Sequence, residues 1–235
     1  DHCLGLGSML MRLNLDKVKH PIHCYYPASG KKHFDRLRYG CVYHETVTVV
    51  EHPISQEGIV EEGETFRIEA TFLEHGIDNI GWRITEKDRI KFDKEKLKKL
   101  GVEGPNVRFL KQKKAIEIEG QTIALEDVSW VKKGDVFAIV MDTRPCEKAS
   151  EIAKNASVLI CESTYLESEA HLACQYMHMT AKEAATLARD ANVKLLIITH
   201  FSARYSDLSE FETEAKAIFP NTWVAEDCKK IPFPR

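Results

Sequence analysis

Residues 134–200 read GDVFAIVMDTRPCEKASEIAKNASVLICESTYLESEAHLACQYMHMTAKEAATLARDANVKLLIITH, and the order of runs within them decides the fold. Val136–Met141, Val158–Cys161 and Lys194–Thr199 are short, mostly apolar runs rich in branched residues. Between them, Cys146–Lys154 and Ala181–Ala191 carry apolar residues at helical spacing. Strand, helix, strand, helix, strand predicts parallel strands joined by crossover helices. Two of the strands end on a side chain able to bind a metal: Asp142 follows Met141, and His200 follows Thr199. Carboxyl ends of parallel strands are where α/β folds assemble their sites.

Upstream, Leu4 to Leu15 and Lys31 to Tyr39 read as helices. Thr46 to Val50, Thr65 to Leu73 and Trp82 to Thr85 alternate and favour β-branched residues, which predicts a sheet with His75 just past a strand end. Asp93 to Leu100 is a charged helix closed by Gly101, and Gly104-Pro105 punctuates the chain after it. Ala115–Ile118 and Thr122–Leu125, separated by Glu119-Gly120-Gln121, predict a hairpin. Lys87 to Lys114 holds 11 Lys/Arg against 4 Asp/Glu, a local +7, while the rest of the chain carries −10. A basic segment on an acidic body is either the footprint of a phosphate-backbone binder or a solvated lysine-rich helix face. With the hairpin it reads as an inserted appendage.

At 235 residues, with 43% hydrophobic and 29% charged, the chain can bury one large core. It contains no run of eighteen apolar residues and no charged-then-apolar leader, which makes the cytoplasm the default expectation and a membrane partner unexpected. The seven cysteines are odd in number and never spaced C-x-x-C, against both a disulfide framework and a cysteine zinc knuckle. Asp1-His2 opens the sequence without a Met and runs straight into the first apolar stretch, as a motif entered midway would.

Asp1, His2, His75, Asp142 and His200 thus stand at strand ends or loop starts, and imidazole with carboxylate suits zinc. A carboxylate such as Asp142 can bridge two metals, a pairing that can hold a hydroxide for in-line attack on phosphorus. Each has an ordinary alternative: a His after a strand is often a hydrogen-bonded structural residue, and Asp142-Thr143 can cap the helix at Cys146. His20, His23, His33, His44, His52 and His171 are read as structural.

Asp1-His2-Cys3-Leu4-Gly5-Leu6 resembles the second half of the H-x-H-x-D-H motif of metallo-β-lactamase-fold hydrolases, in the form found in the RNase Z family. The resemblance continues through Glu74-His75-Gly76, Gly81-Trp82-Arg83-Ile84, Val140 to Cys146, Cys161 to Tyr165, His178 to Ala185 and Thr199 to Tyr205, nearly the whole chain. Gly101-Val102-Glu103-Gly104-Pro105 resembles the Gly-Pro motif of that family's flexible tRNA-binding arm, which places the arm on the basic segment. Gly7-Ser8, where the family usually has Pro-Gly, and Met141, where it usually has a small residue, depart from the pattern without removing a ligand.

The resemblance implies an α/β four-layer αββα sandwich over residues 1–235 with the arm inserted at about 86–128. It implies an endonuclease that removes the 3′ trailer of precursor tRNA after the discriminator nucleotide, using two Zn2+ ions, and a homodimer in which one arm serves the other subunit's site. His75 would bind the first zinc, Asp142 would bridge, and Asp1, His2 and His200 would complete the second. Asp1 would also deprotonate the attacking water, and His178, assisted by Glu162, would protonate the leaving oxygen. An alternative for His178 is a plain loop residue before a helix capped by Thr180. Ser202, Arg204 and Tyr205 are expected at the substrate phosphate, with an ion-pair role open for Arg204, and Gly104, Pro105, Lys111, Lys113 and Lys114 at the tRNA body. The first half of H-x-H-x-D-H is absent from the sequence, so the expectation is that the 235-residue chain alone lacks amino-terminal strands and binds metal poorly. Two rival readings are a phosphodiesterase of the same fold acting on a small substrate, which has no use for a basic arm, and a silent tRNA-binding paralogue without metal.

Overall fold

A computed structural model of the protein describes residues 3–234. In chain order the elements are α1 (Leu6–Leu15), β1 (Ile22–Pro27), α2 (Lys31–Arg38), β2 (Val49–Ile54), β3 (Gly58–Glu62), β4 (Phe66–Leu73), β5 (Asn79–Glu86) and β6 (Arg89–Phe92). They continue with α3 (Lys94–Lys99), α4 (Pro105–Lys113), β7 (Ala115–Ile118), β8 (Gln121–Ala124), β9 (Ser129–Lys132), β10 (Val136–Val140), α5 (Glu147–Ala153) and β11 (Val158–Glu162). The last are α6 (Ala170–Gln175), α7 (Ala181–Asp190), β12 (Leu195–Thr199), α8 (Ser209–Lys216) and β13 (Thr222–Val224). Among the described residues no helix is long and apolar enough to cross a membrane.

The chain divides into two compact units, one of residues 1–63, 67–84 and 136–235, the other of 64–66 and 85–135. The first is built on a seven-stranded sheet of order β13-β12-β11-β10-β5-β4-β3, in which β10 to β13 run parallel as their crossover helices require. Val140, Cys161 and Ile198 pair in one row across β10, β11 and β12. The main core lies between this sheet and α5, α7 and α8, with Leu159, Cys161, Leu196, Ile198, Ala184, Ala188 and Phe211 fully buried. The alanine-rich face of α7 permits its close approach, and its start is fixed by a capping box in which Thr180 and Glu183 satisfy each other's backbone N–H.

A smaller core of Ile54, Ala70 and Ile80, with Tyr25 and Trp82 against it, joins the parallel pair β1-β2 to β4 and β5. Beyond that pair, Phe34 of α2 stacks on Tyr26, and the buried Arg38 guanidinium binds Glu45 and Glu51. Helices, sheet, small sheet and helices give the expected order of layers. Three strands, β1, β2 and β3, depart from the expectations. Thr46–Val47 is not strand, because the Asn14 side-chain oxygen takes both backbone N–H groups, and β2 begins at Val49. Neither β1, with its prolines at 21 and 27, nor the glutamate-rich β3 is legible as an alternating run. Asp1 and His2 lie outside the described residues.

In the second unit Asp93 caps α3 through Glu95 and Lys96 N–H, and Gly101 closes it with φ 62°. Gly104-Pro105 starts α4 instead of breaking the chain: proline at the first helical position gives up an N–H that has no partner there. The β7-β8 hairpin turns at Glu119 and Gly120, both with positive φ (49° and 79°), as a two-residue turn demands. Leu97, Val102, Leu110, Ile123 and Val128 form its core. Leu110 is completely buried there, so Leu110→Ala is expected to destabilise this unit by about 2–5 kcal/mol. Amide hydrogen exchange should speed up across residues 93–128; an unchanged pattern would mean that these residues do not share one core.

Candidate metal centre and active site

Both sharp strand-end turns carry a candidate ligand in the left-handed region, Asp142 at φ 49° and His200 at φ 62°. Such backbone is unfavourable for residues other than glycine and persists where surrounding contacts enforce it. For Asp142 the contacts come from Asn79, whose amide donates to the carbonyls of Met141 and Asp142. The next residue, Thr143, donates its N–H to Glu162 at 2.5 Å and receives the Glu74 N–H at 3.1 Å, which ties the loop of His75 to that of Asp142.

Glu162, at the end of β11, is fully buried and accepts from four donors. Its Oε1 takes Thr143 N–H and His178 Nδ1–H (3.1 Å), and its Oε2 takes the Thr164 hydroxyl (2.6 Å) and Met179 N–H (3.0 Å). Because Thr164 spends its proton on Glu162, it can only accept from His200 Nδ1, 2.8 Å away. The His200 lone pair is thereby on Nε2, 3.2 Å from Oδ1 of Asp142. With a neutral ring, a cation between the two atoms would satisfy both; with a protonated ring, they pair directly.

His178 is held just as tightly. Its carbonyl accepts from Arg144, which also forms a two-pronged ion pair with Glu183 at 2.9 and 2.5 Å. Burial pushes the His178 imidazole toward the neutral form, but the hydrogen bond and charge of Glu162, with the charge of Asp142, outweigh it and the net shift is upward. Asp142, His178 and His200 each offer a donor atom, all within 4.8 Å of one another. The His75 ring lies 5.2 Å from that of His178, with its Nδ1 on the Met177 carbonyl at 3.1 Å, which leaves Nε2 as its ligating atom. Imidazole nitrogens oriented by backbone, hydroxyl or carboxylate partners, beside a carboxylate, fit a zinc-type ion. They line a cavity of about 630 Å3 together with Tyr165, Tyr176 and Arg204.

The structure thus brings together His75, Asp142, His178 and His200, while Glu162 supports them from below without lining the cavity. Arg204 borders the cavity, ion-paired to Glu169 at 2.9 Å and over the Tyr165 ring at 5.3 Å, with Ser202 accepting from its Nε at 3.3 Å. The Tyr205 phenol is committed to Glu169 and to Leu166 N–H. Gly104, Pro105, Lys111, Lys113 and Lys114 are exposed residues of the second unit. Sequence reasoning missed Asn79, Arg144, Glu183 and Thr164 as supports; the last three lie inside quoted motifs, and Glu183 also stands at capping-box spacing from Thr180, whereas Asn79 carried no signal.

No protein-family model matches the chain. Among solved structures, human tRNase Z, short form, superposes with TM-score 0.64 at 19% identity over 98% of this chain and 74% of its own. A metallo-β-lactamase-fold protein of Bacillus subtilis, YhfI, superposes with TM-score 0.62 at 15% identity over 96% of this chain and 70% of its own. The layers are those of the metallo-β-lactamase fold, and the imidazole-carboxylate cluster is a candidate metal centre within it. A curated protein of Protochlamydia amoebophila named Ribonuclease Z is 61% identical over 99% of this chain and 76% of its own length. The chain belongs to the ribonuclease Z family.

Proposed function

We propose that the protein is a zinc-dependent endoribonuclease that removes the 3′ trailer from precursor tRNA by hydrolysing the phosphodiester after the discriminator nucleotide. The convergence of Asp142, His178 and His200 within 4.8 Å, in a chain so close to a named ribonuclease Z, carries the reading. Asp142, His75 and His200 would hold metal, with Asp1 and His2 completing the set. Bound zinc supplies a Lewis acid for a phosphoryl oxygen and lowers the pKa of water. A carboxylate takes the proton of the attacking water, the bond from phosphorus to O3′ breaks, and His178, oriented by Glu162, gives its Nε2 proton to the leaving O3′. The products are a tRNA with a free 3′-hydroxyl and a trailer with a 5′-phosphate.

In this reading the exposed lysines at 111, 113 and 114 contact the tRNA body, and two copies assemble so that one subunit's arm serves the other's site. Mapping both ends produced from a labelled precursor tests the cleavage; a protein that hydrolyses only small phosphodiesters would overturn it. Replacing Lys111, Lys113 and Lys114 together by Gln is expected to raise KM for the precursor and to lower the log–log salt slope of binding by about 2. Hydrolysis of bis(p-nitrophenyl) phosphate should stay unchanged. Equal loss on both substrates would mean that the lysines act on the fold and not on RNA.

A further inference from the structure

In the second unit, β6 and β9 form an antiparallel ribbon in which Lys91 stands opposite Trp130 and Arg89 opposite Lys132. Opposed residues of such a pair share a face, so these four stand together while Ile90, Phe92, Ser129 and Val131 occupy the other side. Phe92 packs against the unit's core; Trp130 does not, and its side chain is 54% exposed. Arg89 is bonded to Glu86 at 2.6 Å and Lys132 lies 4.0 Å from Asp135, both acids outside the four-residue face. Among the described residues no carboxylate pairs with Lys91. Trp130 also borders a groove of about 560 Å3 whose other lining, with Lys114, Leu125 and Glu126, includes Ile90 and Val131 of the ribbon's opposite side.

We infer that this ribbon is a second RNA contact, in which an unpaired base of the substrate stacks on Trp130 and the flanking phosphates meet Lys91, Lys132 and Arg89. An exposed indole that shares a strand face with cations is an arrangement that takes single-stranded nucleic acid: any base offers a π-face, and the cations follow the backbone. Lys91 has no carboxylate partner among the described residues, so an apolar protein face would leave it uncompensated where a phosphate would not. The inference rests on the RNA substrate proposed above and adds to the lysines of α4 a site that reads strand separation rather than tRNA shape.

Decauridylate, which has no tRNA fold, is the probe. The sequence holds three tryptophans, so quenching of the signal from Trp130 is obtained as the difference between the protein and Trp130→Phe. Saturable quenching is expected, lost in Trp130→Phe although that variant still binds, and Trp130→Leu should bind about ten- to hundredfold more weakly. Lys91→Glu should weaken binding most at low salt. Equal affinity of Trp130→Leu and the parent, or no binding by either, would overturn the inference. So would Trp130-dependent self-association in sedimentation without RNA binding, which would give the ring to a protein partner. Precursor cleavage with unchanged KM in Trp130→Leu removes this contact and leaves the proposed function standing; Trp130-dependent RNA binding by a protein that cleaves nothing does the reverse.

Discussion

Asp142→Gly is expected to lower precursor cleavage by at least about a thousandfold while leaving the protein as stable as before or slightly more so. The carboxylate is the one acid among the clustered donors, and its loss removes both a ligand and the negative charge facing His200 Nε2. The same residue is held at φ 49°, which glycine adopts without strain. Activity and stability should therefore move in opposite directions, the signature of a residue kept for chemistry at the cost of the fold. Bound zinc measured by atomic absorption should fall with the activity. Cleavage within tenfold of the parent would show that Asp142 is not a ligand that matters.

Glu162→Ala is expected to be worse for the fold than for any single contact. Four donors would be stranded at a fully buried position, each at about 1–3 kcal/mol, so the loss should reach several kcal/mol and much of the stability of the first unit. Glu162→Gln keeps the shape but turns one acceptor into a donor. If the amide nitrogen faces Thr164, that hydroxyl must reverse, His200 Nδ1 loses its acceptor, and the tautomer that aims the Nε2 lone pair at the cavity is no longer fixed. Zinc affinity should drop about 10–100-fold with a much smaller change in Tm. Full affinity in Glu162→Gln would separate the hub from the metal centre.

The sequence discloses β10, β11 and β12 because each is an unbroken apolar run followed by a helix, and Asp142 and His200 come directly after such runs; α6, α8 and the three-residue β13 of the same half are not legible. The half with β1 and β3 is less legible: prolines, histidines and glutamates interrupt the alternation, and β1 is held by β2 some way along the chain. Gly104-Pro105 reads equally well as a stop or a start, since the dipeptide fixes backbone angles and not direction. Asn79, Arg144 and Glu183 support the site through bonds spanning 34 to 63 residues, which no local pattern can announce. Asp142 and His200 were visible because strand ends are; what orients them was not.

Asp142, Ser163 and His200 each follow by two residues the row formed by Val140, Cys161 and Ile198. Neighbouring strands lie about 4.8 Å apart, so the bite between the two ligand-bearing turns is measured off by the sheet as by a ruler with β11 as its middle mark. Helices on the outside can be exchanged without altering that gauge. A slip of β12 by one residue against β11 would instead turn His200 to the opposite face and disarm the site in a molecule that is otherwise folded. The ladder, more than any ligand, is what sets the span between the two turns.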